Sequence, residues 1–342
     1  MNELESLLFY FFSFLVSVFF YNLYNKKNKK IFLVLSFSIP MIISGIRYNV
    51  GTDYVNYINY YKWNSYISLS FSIISKIAHL FYSYQVIFII YSFLFLFFIF
   101  KGLKNIKKEA RTFAYFCFLF LFFTTSFNIV RQMLAISIVF YSYKYMLNND
   151  FKKYLIFILM ASFFHNSALI CIPFYILLNN KNNKYKFITL LLTIIIVLNL
   201  QSIINLITRI ELFSHYSMYL NSYSNGISNR VFFLDFIILL YFFINKKSLI
   251  NYDINNDKLY YIFLIYIVLL LSGFISPFIK RISLYFSISR LYLLPSIPYS
   301  YKKNKDKLLN YFGIIIYCFL YFIVTIYVFK QGDIIPYKSI LS

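Results

Sequence analysis

The chain has 342 residues, of which 61% are hydrophobic and 13% charged, with a formal net charge of +22. Apolar runs near the length that crosses a bilayer recur from end to end, which excludes a soluble globular enzyme and predicts an all-α integral membrane protein forming one polytopic domain over residues 1–342. The positive charge alone would suit a nucleic-acid binder, but the basic residues fall in short loops between apolar runs and not on one soluble face, so no nucleic-acid partner is expected.

Hydropathy predicts about 10 transmembrane helices, at 4–23, 31–45, 84–100, 112–128, 132–147, 187–207, 231–244, 259–275, 282–300 and 308–329. Glu3 and Glu5 replace the basic start of a signal peptide, so the first run reads as a retained helix. Lysine clusters at 26–30, 101–108, 144–153, 181–186, 246–258 and 302–307 go to the cytoplasm by the positive-inside bias, which places the N-terminus, the segment after Gly45 and the C-terminus outside. Between the second and third spans, Phe71–Phe81 reads as a short outer interfacial helix, with His79 as an interfacial side chain. Basic loops on both sides of Tyr154–Leu178 require an even number of crossings. These 25 residues are too few for two spans, so a re-entrant half-helix hairpin turning at Phe164-His165-Asn166-Ser167 is predicted; a single long helix with an outside basic loop is the competing account. Residues 208–230 form the longest outer loop, with Arg209, Glu211, His215, Asn225-Gly226 and Arg230, and 276–281 form a short outer turn ending in Lys280 and Arg281.

Chemistry concentrates in Gly45-Ile46-Arg47-Tyr48-Asn49-Val50-Gly51-Thr52-Asp53-Tyr54, where two glycines, an arginine and an acid follow a membrane-grade apolar run. Charged groups are costly to desolvate at a membrane boundary, so this segment suggests a site for a polar ligand, against the simpler reading of an ordinary polar loop. The two cations are also segregated. Of the 26 lysines 21 lie in the assigned cytoplasmic loops, but of the 7 arginines only Arg111 does. Guanidinium groups bind phosphate bidentately and stay charged when partly buried, which suits a diphosphate at the outer leaflet; helix-end snorkelling is the alternative for any one of them. Asp53 reads either as a base or as an ion-pair partner, His165 as a base or as a hydrogen-bonded core histidine, and Asp235 as the partner of an arginine inside the bundle. Cys117, Cys171 and Cys318 stand singly in apolar runs as core residues. No DxD or HExxH pattern occurs, and neither a metal nor another cofactor is expected.

Four segments in order resemble one family: Gly45-Ile46-Arg47-Tyr48-x-Val50-Gly51-Thr52-Asp53-Tyr54-x-x-Tyr57, then Arg131-Gln132-x-x-Ala135, then Phe164-His165-x-Ser167-Ala168-Leu169-Ile170, then Arg281-x-x-x-Tyr285-Phe286. They look like the EpsG-like family of Wzy-type polysaccharide polymerases. The resemblance implies a multi-pass glycosyltransferase of the bacterial cytoplasmic membrane that joins polyprenyl-diphosphate-linked oligosaccharide units at its outer face into exopolysaccharide, capsule or O-antigen. It also implies membrane lipids, a chain-length regulator and a flippase as partners. By that resemblance Arg47, Arg131 and Arg281 take the diphosphate, Asp53 and His165 are the catalytic candidates, and Gly51, Thr52, Tyr54, Gln132, Ser167 and Arg230 support them. A lipid-linked oligosaccharide flippase is the alternative; it would call for interrupted helices in matching halves, and one interrupted element is apparent.

Overall fold

The structure is a computed structural model and describes residues 1–65, 67–179, 183–207, 231–274 and 277–341. The expected outer loop 208–230, with Arg209, Glu211, His215 and Arg230, lies outside the described residues, as does Lys181. Among the described residues the chain is helical, and its single β contact is a bridge between Arg47 and Ser339.

The first helix shows how the sequence sorts its faces. α1 (Glu3–Lys27) opens with a reciprocal cap, the Asn2 side chain accepting from Glu5 N and the Glu5 side chain from Asn2 N, each at 2.8 Å, and ends at Asn28 in the left-handed region. Its buried stripe is Ser6, Tyr10, Phe14, Ser17 and Tyr21, at steps of three and four, while Leu8, Phe12, Val16 and Phe19 point outward. With hydrocarbon as solvent both faces can be apolar, and the packed face is marked by small residues instead. Ser17 accordingly lies against α2 (Lys30–Gly45), donating to Ser36 O at 2.8 Å.

The short α3 (Tyr54–Lys62) and α4 (Leu69–Leu80) follow, α4 at the position expected for the interfacial helix, with His79 stacked on Tyr61 at 4.0 Å. Next come α5 (Gln85–Leu103) and a helical run, Lys108–Phe127, in which α6 (Arg111–Phe118) widens to a π turn at Leu119–Phe123 and tightens to a 3₁₀ turn at Thr124–Phe127. α7 (Val130–Leu147) packs on α5, where Gly102 admits the Phe140 ring.

The hairpin is present as geometry. α8 (Phe151–Phe164) stops at His165, whose extended backbone (φ −154°, ψ 112°) leads into a 3₁₀ turn at Asn166–Ile170 and α9 (Cys171–Leu178). Tyr154 donates to Cys171 O at 3.1 Å and its ring lies 4.8 Å from that of Tyr175, so the arms run back along each other. Lys258 donates to both Asn149 (2.9 Å) and Asn179 (2.6 Å), which brings the two feet to one place.

Two expected spans are divided. The sixth appears as α10 (Asn183–Leu198) and α11 (Leu200–Ile207). The ninth appears as α14 (Pro277–Ser287) and α15 (Arg290–Ser300), and this corrects the expected turn at 276–281: Lys280 and Arg281 are helical, because Pro277 supplies a first-turn residue that needs no amide partner. Between them lie α12 (Phe232–Tyr252) and α13 (Asn255–Leu270); α16 (Asn304–Ile323) follows, continued through Val328. Among the described residues five helices, Glu3–Lys27, Gln85–Leu103, Lys108–Phe127, Asn255–Phe274 and Asn304–Val328, are long and apolar enough to cross a bilayer.

Side chains link each end of the bundle. At one end Glu3 meets Lys330 at 2.6 Å and Ser6 accepts from Tyr337 N at 2.8 Å, so the N-terminus, the C-terminal tail and the Gly45–Tyr54 segment gather together. At the other, Asn25 donates to Lys108 O (2.9 Å), Lys107 contacts Tyr252 O, and the Tyr252 hydroxyl donates to Glu109 (2.7 Å). The segments sorted to opposite sides by lysine content thus occupy opposite ends.

Candidate active site

The Gly45–Tyr54 segment has little regular structure, so its backbone is satisfied from outside. Tyr48 N donates to Lys338 O (2.9 Å), Ile340 N to Ile46 O (2.9 Å), Gly51 N to Asp333 O (3.0 Å) and Thr52 N to Gly332 O (3.2 Å), making the tail a strap along the segment. From the other side the Gln85 amide donates to the carbonyls of Gly45 and Arg47. Asn128 Oδ1 accepts from Thr52 N at 2.7 Å and from Thr52 Oγ1 at 3.1 Å. Gly51 has φ +98°, and a Cβ there would stand 2.7 Å from Phe127 O, so both conformation and close approach demand glycine. Tyr54 is buried, stacked on Phe88 at 4.7 Å.

Asp53 is thereby delivered to the start of α3, where three other helices bring their motifs. Arg131 sits in the first turn of α7, three residues after the Asn128 that grips Thr52. Gln132 Nε2 donates to Arg281 O at 2.8 Å, tying α7 to α14. The hairpin tip enters from a third direction: His165 Nδ1 lies 2.6 Å from Ser167 Oγ, which lies 3.0 Å from the Tyr285 hydroxyl, and Tyr143 donates to Tyr285 O at 3.0 Å. The charges of Arg131 and Arg281 act on both Asp53 and His165. Four separate sequence segments therefore form one cluster.

Its electrostatics oppose one another. Partial burial pushes the Asp53 carboxyl above the usual carboxylate range, while Arg281 and Arg131 pull it back down. An acid so placed keeps more basicity than an exposed aspartate. Beside the cluster, sharing Thr52 and Arg281 with it, lies a cavity of about 310 Å³ bordered also by Asn128, Thr125, Lys280 and Asp235.

Arg47 is placed differently from the other two arginines. It is 1% exposed, its guanidinium donating to Ser44 O (2.6 Å), Ser44 Oγ (2.9 Å) and Phe127 O (3.3 Å) between the rings of Phe88 (4.5 Å) and Phe127 (4.8 Å). It lies under the segment and not among the residues lining the cavity. Asp235 pairs with Arg290 at 2.6 Å and accepts from Tyr266 at 2.7 Å. Reading by motif left out Asn128 and the strap at 332–340, and assigned no role to Tyr57 or Tyr285. The only sign of the strap was its Gly332-Asp333 turn signal.

The fold and site together define a polytopic helical membrane protein with a paired-guanidinium cluster at one end. Residues 30–339 match the model of the EpsG family, and the chain belongs to that family of Wzy-like polymerases. No curated protein and no solved structure matches it.

Proposed function

We propose that the protein is a membrane glycosyltransferase that polymerises polyprenyl-diphosphate-linked oligosaccharide units at the outer face of the cytoplasmic membrane. The observation that carries this reading is the gathering of Arg131, Arg281, Asp53 and His165 at one place, tied by the Gln132–Arg281 and His165–Ser167–Tyr285 hydrogen bonds, beside a cavity that Thr52, Asn128 and Arg281 border. Paired guanidiniums suit a diphosphate, whose oxygens take bidentate hydrogen bonds and whose charge rises as it leaves. The acceptor hydroxyl oxygen bonds to the anomeric carbon of the donor, the bond from that carbon to the phosphate oxygen breaks, and its electron pair leaves with the polyprenyl diphosphate. The hydroxyl proton passes to Asp53 as general base. His165, braced through Ser167 by Tyr285, orients the acceptor. Arg47 acts as a positioning residue, holding the segment that carries Asp53. The charges that this displacement needs are supplied by side chains, and no metal enters the step.

The test is incubation of the purified full-length protein, in detergent and then in vesicles, with defined lipid-linked repeat units. Product longer than one unit, with free polyprenyl diphosphate released in proportion, is the expected result. Transfer of intact lipid-linked units across the vesicle bilayer without chain growth would replace the polymerase reading with the flippase one.

A further inference from the structure

A larger cavity, of about 880 Å³, lies at the lysine-rich end, far from the arginine cluster. Its long wall is apolar: Leu15, Val18 and Phe19 of α1, Phe116 of α6 and Ile315 of α16. Phe19 is 57% exposed, so the groove opens sideways to the surroundings of the helix bundle. From Leu15 to Lys26 the helix rises roughly 16 Å at about 1.5 Å per residue, enough to lay much of an acyl chain along it. The polar end is made by Asn22, Asn25, Lys26, Lys108 and Thr112.

The charges at that end do not cancel. Asn25 Nδ2 donates to Lys108 O at 2.9 Å, which fixes the turn carrying Lys108 against the end of α1 and so sets the two lysines beside one slot. Neither ammonium has a carboxylate within ion-pair distance among the described residues. Glu109 is the one acid on the groove, and its carboxylate accepts from Tyr252. The neighbouring cations are engaged elsewhere: Lys107 with Tyr252 and Asp253, Arg111 with the carbonyls of Ile106 and Lys104, Lys27 over Phe32 and Lys307 over Tyr299.

We propose that this groove is a binding site for one anionic phospholipid of the leaflet at the lysine-rich end, with its phosphate between Lys26 and Lys108 and an acyl chain along Val18, Phe19 and Ile315. An apolar slot at bilayer depth that ends in two cations matches a lipid with a net negative headgroup better than a zwitterionic one, whose ammonium would face the same lysines. The inference does not rest on the polymerase reading, because the groove shares no residue with the arginine cluster.

The test is native mass spectrometry of the delipidated full-length protein titrated with phosphatidylglycerol or phosphatidylcholine. Phosphatidylglycerol should bind at one site on the order of tenfold tighter, as two lysines near a headgroup allow. K26Q combined with K108Q should remove that preference, and V18W, which fills the slot, should weaken both lipids. The control pair K62Q with K76Q, on α3 and α4 at the other end, should change neither. Equal binding of the two lipids by the unmodified protein would overturn the proposal. So would a preference that survives K26Q with K108Q, or a dimer in place of lipid adducts that V18W separates.

Discussion

Arg290 and the pair Arg131 and Arg281 are all arginines near one cavity, yet the protein treats them in opposite ways. Arg290 is 1% exposed and held by Asp235 at 2.6 Å, with the rings of Phe122 (4.9 Å), Tyr266 (5.1 Å) and Tyr321 (5.5 Å) around it. Its charge is met in place, and the pair joins α12 to α15. Arg131 is partly exposed and Arg281 exposed, and their charges converge on Asp53 and His165. Both guanidiniums act on the one Asp53 carboxylate beside an open cavity, a setting that suits an incoming diphosphate. Cation count therefore says little about function; where each charge sits, buried in a pair or open at a cavity, says more.

The sharpest way to break this comparison is Asp53→Asn, which keeps size and removes proton-accepting capacity. At matched membrane abundance, turnover should fall by roughly 10² to 10⁴ while binding of the lipid-linked donor stays near normal. A parallel loss of donor binding would instead make Asp53 a tether for the arginines. The pH profile adds a second readout. A base works only when ionised, and burial raises the Asp53 pKa, so the rate should fall with decreasing pH earlier than an ordinary aspartate would dictate. Asp53→Asn should erase that acid limb.

Asp235→Asn should act on the fold, because it leaves the Arg290 charge buried and unpaired. A loss of about 3–5 kcal/mol is expected, read as an earlier unfolding midpoint in detergent. Combining it with Arg290→Met should cost less than the sum of the two single changes. An unchanged midpoint in Asp235→Asn would mean that the pair is not a structural balance.

Arg131→Lys and Arg281→Lys keep the charge and lose the fork, so turnover should fall by about 10² with the unfolding midpoint unchanged. Arg47→Lys should show the reverse emphasis, a lower midpoint and lower abundance, since it loses contacts to Phe127 and Ser44 beneath the segment. Full activity in both Arg131→Lys and Arg281→Lys would move the diphosphate site elsewhere. The smallest change is expected from Ser167→Ala. It removes the bridge between His165 and Tyr285 and should cost roughly tenfold in rate, the equivalent of about one buried hydrogen bond.

Much of the architecture was written in composition and spacing. Apolar runs, lysine clusters and the parity of basic loops were enough to expect a helical membrane protein and a chain reversal at His165, and Asn149 and Asn179 do meet on Lys258. Those features depend on local hydropathy and on counting, which a linear string carries. The motif residues were also legible, since glycine, arginine and acid in one short segment are unusual beside an apolar run.

Tertiary structure alone decided what each of those residues faces. Arg47 and Asp53 are six positions apart in one motif, yet one guanidinium packs between two phenyl rings while the carboxylate lies within the influence of the Arg131 and Arg281 charges. Lys280 and Arg281 became helical because Pro277 starts a helix across what hydropathy drew as a turn. The strap at 332–340 holds the segment through backbone hydrogen bonds, and such bonds leave no side-chain pattern to read. Periodicity and charge are properties of neighbours along the chain. What each charge meets is settled by contacts between residues far apart in the sequence, as in the bond from Arg47 to Phe127 O and the pairing of Asp235 with Arg290, and only the folded bundle brings those together.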